Sequence, residues 1–307
     1  GLATGRSARR DIPHGAIYLN VGQIGLAIPA FHKWLKRRPD IGCFIMLHDA
    51  IPLEYPQYVH PRSREMHRKM INTAAERADC LVTTTRHADQ SVTDALAQCG
   101  KANIRTYTRA LPLPDAFTQT TQSIPQLEDV HYFLTCSSIE PRKNFDLLLQ
   151  VWKSLATALG NEAPHLVIVG NRGWRADEIL APIKNDPALR SHVHHIAGLS
   201  SSALARLMLG ASGMLCPSHA EGFGLTVLEA NSLGVPTIAS DIAAHREVAN
   251  ARTVLLAPDD VEAWRDAVLS LPVAGIRKAP AFADTLTEKA YCTDIEVFLR
   301  SFMDRTS

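Results

Sequence analysis

Apolar residues fall along this chain in short runs, separated by stretches in which they recur at every third or fourth position. Short runs predict buried strands, and the wider spacing predicts helices packed on them. In the first part the strands are expected at Ala16–Val21, Cys43–His48, Cys80–Thr85 and Ile104–Arg109, with helices over 27–38, 61–78 and 88–98. In the second part strands are expected at Tyr132–Cys136, Leu166–Val169, Val193–Ile196, Met214–Cys216, Thr237–Ala239 and Val254–Leu256. Helices over 144–159, 176–188, 201–210, 225–233, 244–249 and 261–271 lie between and after them; Leu147, Leu148, Val151, Trp152 and Leu155 show the spacing. Alternation of strand and helix predicts an α/β protein with parallel sheets. The second set fits a doubly wound Rossmann-like domain, in which ligands bind outside the carboxyl ends of the strands. Residues 110–130 are rich in Pro, Thr, Gln and Ser and lack periodicity, which marks a domain boundary. The expected division is 1–120 and 121–307, the second domain carrying a terminal helix from Thr285. The small, basic first ten residues read as a flexible lead-in.

Composition narrows the class. The chain has 307 residues, 46% of them hydrophobic, with 32 basic and 31 acidic side chains, a balance that gives no sign of a nucleic-acid partner. Charge is uneven: residues 1–130 carry 16 Lys and Arg against 12 Asp and Glu, and residues 131–307 carry 16 against 19. The six cysteines are scattered without a C-x-x-C pair, which points to buried thiols in a reducing compartment. No stretch reaches the roughly eighteen apolar residues of a membrane span, and the expected location is cytoplasmic, with a peripheral place at the inner membrane surface also open.

Candidate chemistry concentrates between Met214 and Glu247. A buried strand ends at Pro217-Ser218, a helix starts near Leu225, and Glu221-Gly222-Phe223-Gly224 lie in the turn. Free N–H groups and the positive end of the helix dipole make such a turn an anion site, and glycine lets a ligand approach the main chain. Glu221 stands at its mouth and Glu229 about two turns further on. A carboxylate there can accept paired hydrogen bonds from the vicinal hydroxyls of a sugar or ribose. A second cluster, Ser137-Ser138-Ile139-Glu140-Pro141-Arg142-Lys143-Asn144, joins the first strand of this domain to a helix. Its two cations suit either a diphosphate leaving group or a plain basic helix cap.

The run Pro217-Ser218-x-x-Glu221-Gly222-Phe223-Gly224-Leu225-x-x-x-Glu229, followed by Gly234-Val235-Pro236, resembles the E-x7-E motif of the retaining glycosyltransferases of family 4. The resemblance implies a GT-B fold, two Rossmann-like domains facing a cleft, with the terminal helix crossing back to the first domain. It also implies transfer of a hexose from a nucleoside diphosphate sugar to a glycan or lipid-linked acceptor. Lys143 matches the lysine that holds the diphosphate, Arg142 the variable arginine beside it. Glu221, with backbone N–H groups of Phe223, Gly224 and Leu225, would orient the sugar, and Glu229 would hold the ribose. The turns Gly170-Asn171-Arg172-Gly173-Trp174 and His195-Ile196-Ala197-Gly198-Leu199 match positions near the nucleotide, with Arg172 a third phosphate contact; ordinary loops explain them equally well.

A lone histidine after an apolar run is more often structural than catalytic. His48-Asp49-Ala50-Ile51-Pro52-Leu53, however, resembles the H-D-x-I-P-L segment of one subgroup, whose histidine faces the donor sugar. That subgroup includes mannosyltransferases of surface polysaccharide assembly, so mannose from GDP-mannose is the first expectation. Asn20, Gly22 and Asp49 would line the acceptor side, as would Thr84, Thr85 and Arg86. No D-x-D motif ends a strand, and neither metal nor cofactor is expected, the nucleotide sugar being a substrate. Retention without an evident nucleophile implies that the leaving phosphate takes the acceptor proton. Phe31-His32-Lys33-Trp34-Leu35-Lys36-Arg37-Arg38 fits an anionic membrane surface or a solvated helix with Trp34 in the core. The units that family members place ahead of Ala16–Val21 do not occur here, so the first domain is expected to be incomplete. Two rival readings are a non-catalytic nucleotide-sugar-binding or assembly subunit, and a sugar-nucleotide epimerase or hydrolase of the same fold.

Overall fold

The computed structural model describes residues 11–120, 122–274 and 287–303. The lead-in over residues 1–10 and the expected start of the terminal helix at Thr285 lie outside the described residues.

The chain divides into two units. In the first, β1 (Ile17–Asn20), β2 (Gly42–Met46), β3 (Cys80–Thr83) and β4 (Arg105–Thr108) form a parallel sheet in sequence order. The helices Pro61–Arg77 and Arg86–Gln98 accompany it. The strand expected to reach Thr85 ends at Thr83, because Thr85 leaves the sheet to cap the next helix, its Oγ1 accepting from the Ala88 N–H at 2.9 Å. The helix expected over 27–38 is instead a 3-10 segment, Pro29–Arg37. Its buried residues, His32 and Leu35, stand three apart, the spacing that aligns side chains in this tighter helix.

In the second unit β5 (Tyr132–Cys136), β6 (His165–Val169), β7 (Val193–Ile196), β8 (Gly213–Cys216), β9 (Thr237–Ser240) and β10 (Thr253–Leu256) form a parallel sheet ordered β10-β9-β8-β5-β6-β7. Both faces are covered. Phe133, Leu148, Trp152, Leu166 and Trp264 pack in one cluster, while Leu134, Met208, Met214, Val227 and Leu233 pack in another. This explains why β8 and β9 are buried at every position rather than alternating. The expected helix over 176–188 is broken into Ala176–Asn185 and Pro187–His192. Pro187 lacks an N–H to continue the first helix, and Asp186 caps the second, its carboxylate accepting from the Ala188 N–H at 3.0 Å.

The chain runs from β5 outward to β6 and β7, then returns to β8 on the other side of β5. The crevice between β5 and β8 is therefore the topological switch point, where open α/β sheets bind ligands at the strand carboxyl ends.

The division differs from the expected one at residue 120: it falls between Ala110 and Leu111, and the residues from Lys289 group with the first unit. The terminal helix, Glu288–Met303, docks there through side chains. Phe298 stacks on Tyr107, Phe302 meets Phe44 edge-on, and Arg109 pairs with Asp294 at 2.8 Å. Linker composition does not encode such a return, which depends on apolar residues distant in sequence.

Candidate active site

The cleft at the switch point has a cavity volume of about 110 Å³ and is lined by the ends of β5 (Thr135, Cys136, Ser137) and β8 (Leu215 to Ser218), together with Lys143, Glu221, Gly224 to Val227 and His245. Gly224 has φ +86°, in the left-handed region, so the turn closes onto the Leu225–Ser232 helix without the strain that a Cβ would bring. The first N–H groups of that helix have no intrahelical acceptors.

Two loops are held in register across the crevice. Asn144, at φ 56°, donates through Nδ2 to the carbonyls of Pro217 (3.0 Å) and Pro258 (2.7 Å). Arg142 Nη1 donates to the Ala220 carbonyl at 2.6 Å, and the Arg142 carbonyl accepts from the His219 N–H at 2.9 Å. The segment carrying Lys143 is thereby fixed to the segment carrying Glu221.

The result is a compact charge cluster. Glu221 Oε1 accepts from Lys143 Nζ at 2.5 Å and Ser218 Oγ at 2.7 Å, and its Oε2 accepts from Arg142 Nη1 at 3.0 Å. Arg142 also donates to Glu140 at 2.8 Å. Burial by itself would raise the pKa of Glu221. The charges of Lys143 and Arg142 and the hydrogen bonds from Lys143 and Ser218 outweigh it, holding the carboxyl well below the usual carboxylate range. Glu229 is the opposite case. It is only 8% exposed, and burial pushes its pKa up to about 7. The two carboxylates of the motif thus differ in charge state near neutrality: Glu221 is ionised, and Glu229 is about half protonated.

Lys143, Glu221, Gly224 and Leu225, all expected at the donor, are brought together around this cleft, and Arg142 reaches it through Glu221. Gly222 and the buried Phe223 belong to the turn itself. Glu229 lies one turn into the helix, beyond the cleft lining. Together with burial, its charge helps raise the Cys136 thiol to about 12. Arg172 does not line the cleft; its guanidinium pairs with Asp177 on the surface. Gly198, at φ +75°, and Leu199 stand at the end of β7, also outside the lining. In the first unit His48 follows β2 half-buried, its pKa lowered by burial against the opposing charge of Asp49. Asp49 Oδ1 accepts from the Ile51 N–H at 3.0 Å. Asn20 ends β1 and donates to Tyr18 Oη at 3.0 Å, and Gly22 is exposed beyond it. Thr84 and Thr85 are buried.

Three residues with clear roles in the cleft had not been singled out: Ser218, Asn144 and His245. Ser218 and Asn144 lie within the quoted motifs: Ser218 acts on Glu221 three residues on in the same loop, and Asn144 acts across the crevice, while His245 comes from the Ala243–Val248 helix after β9.

Residues 117–272 match the family described as glycosyl transferases group 1, just over half of the chain. The chain belongs to this family. The O-antigen chain mannosyltransferase B of Escherichia coli is 28% identical over 229 residues, 70% of this chain and 57% of that protein. A D-inositol 3-phosphate glycosyltransferase of Mycobacterium avium is 28% identical over 182 residues, 57% of this chain and 39% of its own length. The chain therefore spans little more than half of the first of these curated relatives, and less of the second. Among solved structures, sucrose-phosphate synthase from Thermosynechococcus elongatus superposes with a TM-score of 0.62 at 18% identity, over 78% of this chain and 61% of that one. HepE from Anabaena, solved in complex with UDP and glucose, gives 0.64 at 17% identity over 82% and 67%. The two Rossmann-like sheets of this group 1 glycosyl transferase are thus those of the GT-B class. Among the described residues no helix is long and apolar enough to cross a membrane, and no group of three His, Cys, Asp or Glu side chains is placed to hold a metal ion.

Proposed function

We propose that the chain is a retaining hexosyltransferase that binds a nucleoside diphosphate sugar at the β5–β8 crevice. It passes the sugar, mannose as first candidate, to a glycan or lipid-linked acceptor in surface polysaccharide synthesis. The observation that carries this reading is the Glu221–Lys143–Arg142 cluster at the switch point, beside a glycine turn and a helix N-terminus. Before the donor arrives, Glu221 pairs with both cations, and Glu140 supplies the second negative charge at Arg142. The incoming diphosphate competes with Glu221 for Lys143 and Arg142, and that exchange frees the carboxylate to accept from sugar hydroxyls. As the bond between the sugar carbon and the diphosphate oxygen breaks, the charge left on the diphosphate faces Lys143 and the helix N–H groups. The acceptor oxygen bonds to the same carbon, and its proton passes to the leaving phosphate. Glu229 holds the ribose. The work of charge stabilisation falls to the two cations and the helix end, without a metal ion or cofactor.

Mannose and the polysaccharide role are supported by the names of the O-antigen mannosyltransferases that the chain resembles. A peripheral contact with an anionic membrane surface belongs to the same reading. Ile24, Ile28 and Phe31 are exposed near Lys33, Lys36 and Arg37, with no acidic residue between Asp11 and Asp40. The deciding experiment is calorimetric titration with GDP-mannose and UDP-glucose, followed by product analysis with and without glycan acceptors. Binding without turnover under any acceptor would identify a non-catalytic subunit. A Glu221→Ala protein with both binding and turnover intact would refute the site.

A further inference from the structure

His245 is 1% exposed, yet it lines the cleft shared by Lys143, Glu221, Gly224 and Leu225. It stands on the Ala243–Val248 helix after β9. Its Nδ1 is 2.9 Å from the Ser240 carbonyl, which can only accept, so Nδ1 carries the ring proton. Burial disfavours the imidazolium, the Glu221 charge opposing, so the ring is neutral near neutral pH and Nε2 is a bare acceptor. The carbon bonded to that nitrogen, Cδ2, lies 3.1 Å from where a Cβ on Gly224 would stand. The Nε2 edge therefore borders the glycine turn.

A bare ring nitrogen repels phosphate oxygens, which are acceptors themselves. What it can hold is a hydroxyl. His245 shares the cleft lining with Glu221, which the donor reading places at the sugar, and with Lys143, which it places at the diphosphate, whereas Glu229 lies outside that lining. The available hydroxyl is thus the one on the Glu221 side, beyond the diphosphate and away from the ribose. Resting on the donor reading above, we infer that His245 is a sugar-contact residue whose Nε2 accepts a hydrogen bond from a hydroxyl of the transferred hexose.

The test compares a nucleoside diphosphate with its sugar on the full chain: GDP with GDP-mannose and UDP with UDP-glucose, by calorimetry. His245→Asn retains a donor that can reach the Ser240 carbonyl but has nothing at the Nε2 position. His245→Gln reaches that position with an acceptor oxygen. The Asn protein is expected to bind the nucleotide sugar roughly three- to ten-fold more weakly, the loss of one hydrogen bond. It should bind the bare diphosphate like the parent, while the Gln protein recovers most of the sugar-dependent affinity. Equal weakening of sugar-bearing and bare nucleotides, or parental binding of both by the Asn protein, would overturn the assignment. Should the Asn protein melt several degrees early, Gln and Phe substitutions repeat the comparison. Retention with Gln and loss with Phe supports the contact, and equal loss refutes it. A parent chain that binds neither nucleotide nor nucleotide sugar refutes the donor reading itself, a result distinct from either outcome at His245.

Discussion

Replacing Glu229 by Gln should remove a pH dependence that this one buried carboxyl imposes on the second unit. Its pKa stands near 7 against an ordinary 4.5, because burial penalises the charged form. A folded-state pKa above the unfolded value means that the stability contribution is fully present below about 4.5 and is lost as pH rises through about 7. That displacement corresponds to about 3 kcal/mol once the group is fully ionised. Urea unfolding followed by tryptophan fluorescence provides the assay, since Trp152 and Trp264 are both fully buried in the second unit. Relative to the parent, the Gln protein is expected to gain stability between pH 5 and pH 8, by up to about 3 kcal/mol. A difference between the two proteins that is the same at both pH values would refute the reasoning. Ligand binding follows the same logic. Ribose hydroxyls that donate to the carboxylate favour its ionised form, so nucleotide binding by the parent should release a proton near pH 7 and tighten as pH rises. Titration in buffers of differing ionisation enthalpy measures that proton, and the Gln protein should release none at this site.

Other expectations follow from the same contacts. Glu221→Gln removes the negative partner of Lys143 and Arg142. The variant should lose roughly 2–3 kcal/mol of stability, bind bare GDP or UDP several-fold more tightly in calorimetry, and transfer sugar more slowly. Asn144→Ala loses the bonds to Pro217 and Pro258 and places a Cβ residue of low left-handed preference at φ 56°. A destabilisation of roughly 2–3 kcal/mol in urea is expected. Gly170→Ala puts a Cβ 1.7 Å from the Ser137 carbonyl oxygen, so the loops after β5 and β6 must separate. Loss of soluble expression, or a fall of more than about 3 kcal/mol, should result. Phe31→Ser together with Ile28→Ser should reduce co-sedimentation with anionic phospholipid vesicles and leave binding of bare GDP and UDP unchanged.

Much of the framework could be read from the residues alone. The apolar runs of β5, β8 and β9 are buried on both faces, so their signal is continuous and survives without tertiary knowledge. The glycine turn between Glu221 and Leu225 was equally legible, since a strand, a turn of small residues and a helix occur within a dozen positions. Local signals were weakest where a proline or cap decides an end: Pro187 splits one helix, and Thr85 shortens a strand. Pairing is different in kind. Lys143 and Glu221 are 78 positions apart, and only the return of the chain from β7 to β8 sets their loops side by side. The same folding turned two carboxylates of one motif into opposites, one held ionised by cations from another loop and one raised by burial to titrate near neutrality. It also brought His245 from the helix after β9 into the cleft, with a backbone carbonyl choosing its tautomer. Residue type and spacing along the chain determine which strands and turns form. Charge state, tautomer and company depend on desolvation and distances of a few ångströms between segments remote in sequence, and these exist only once the chain is folded.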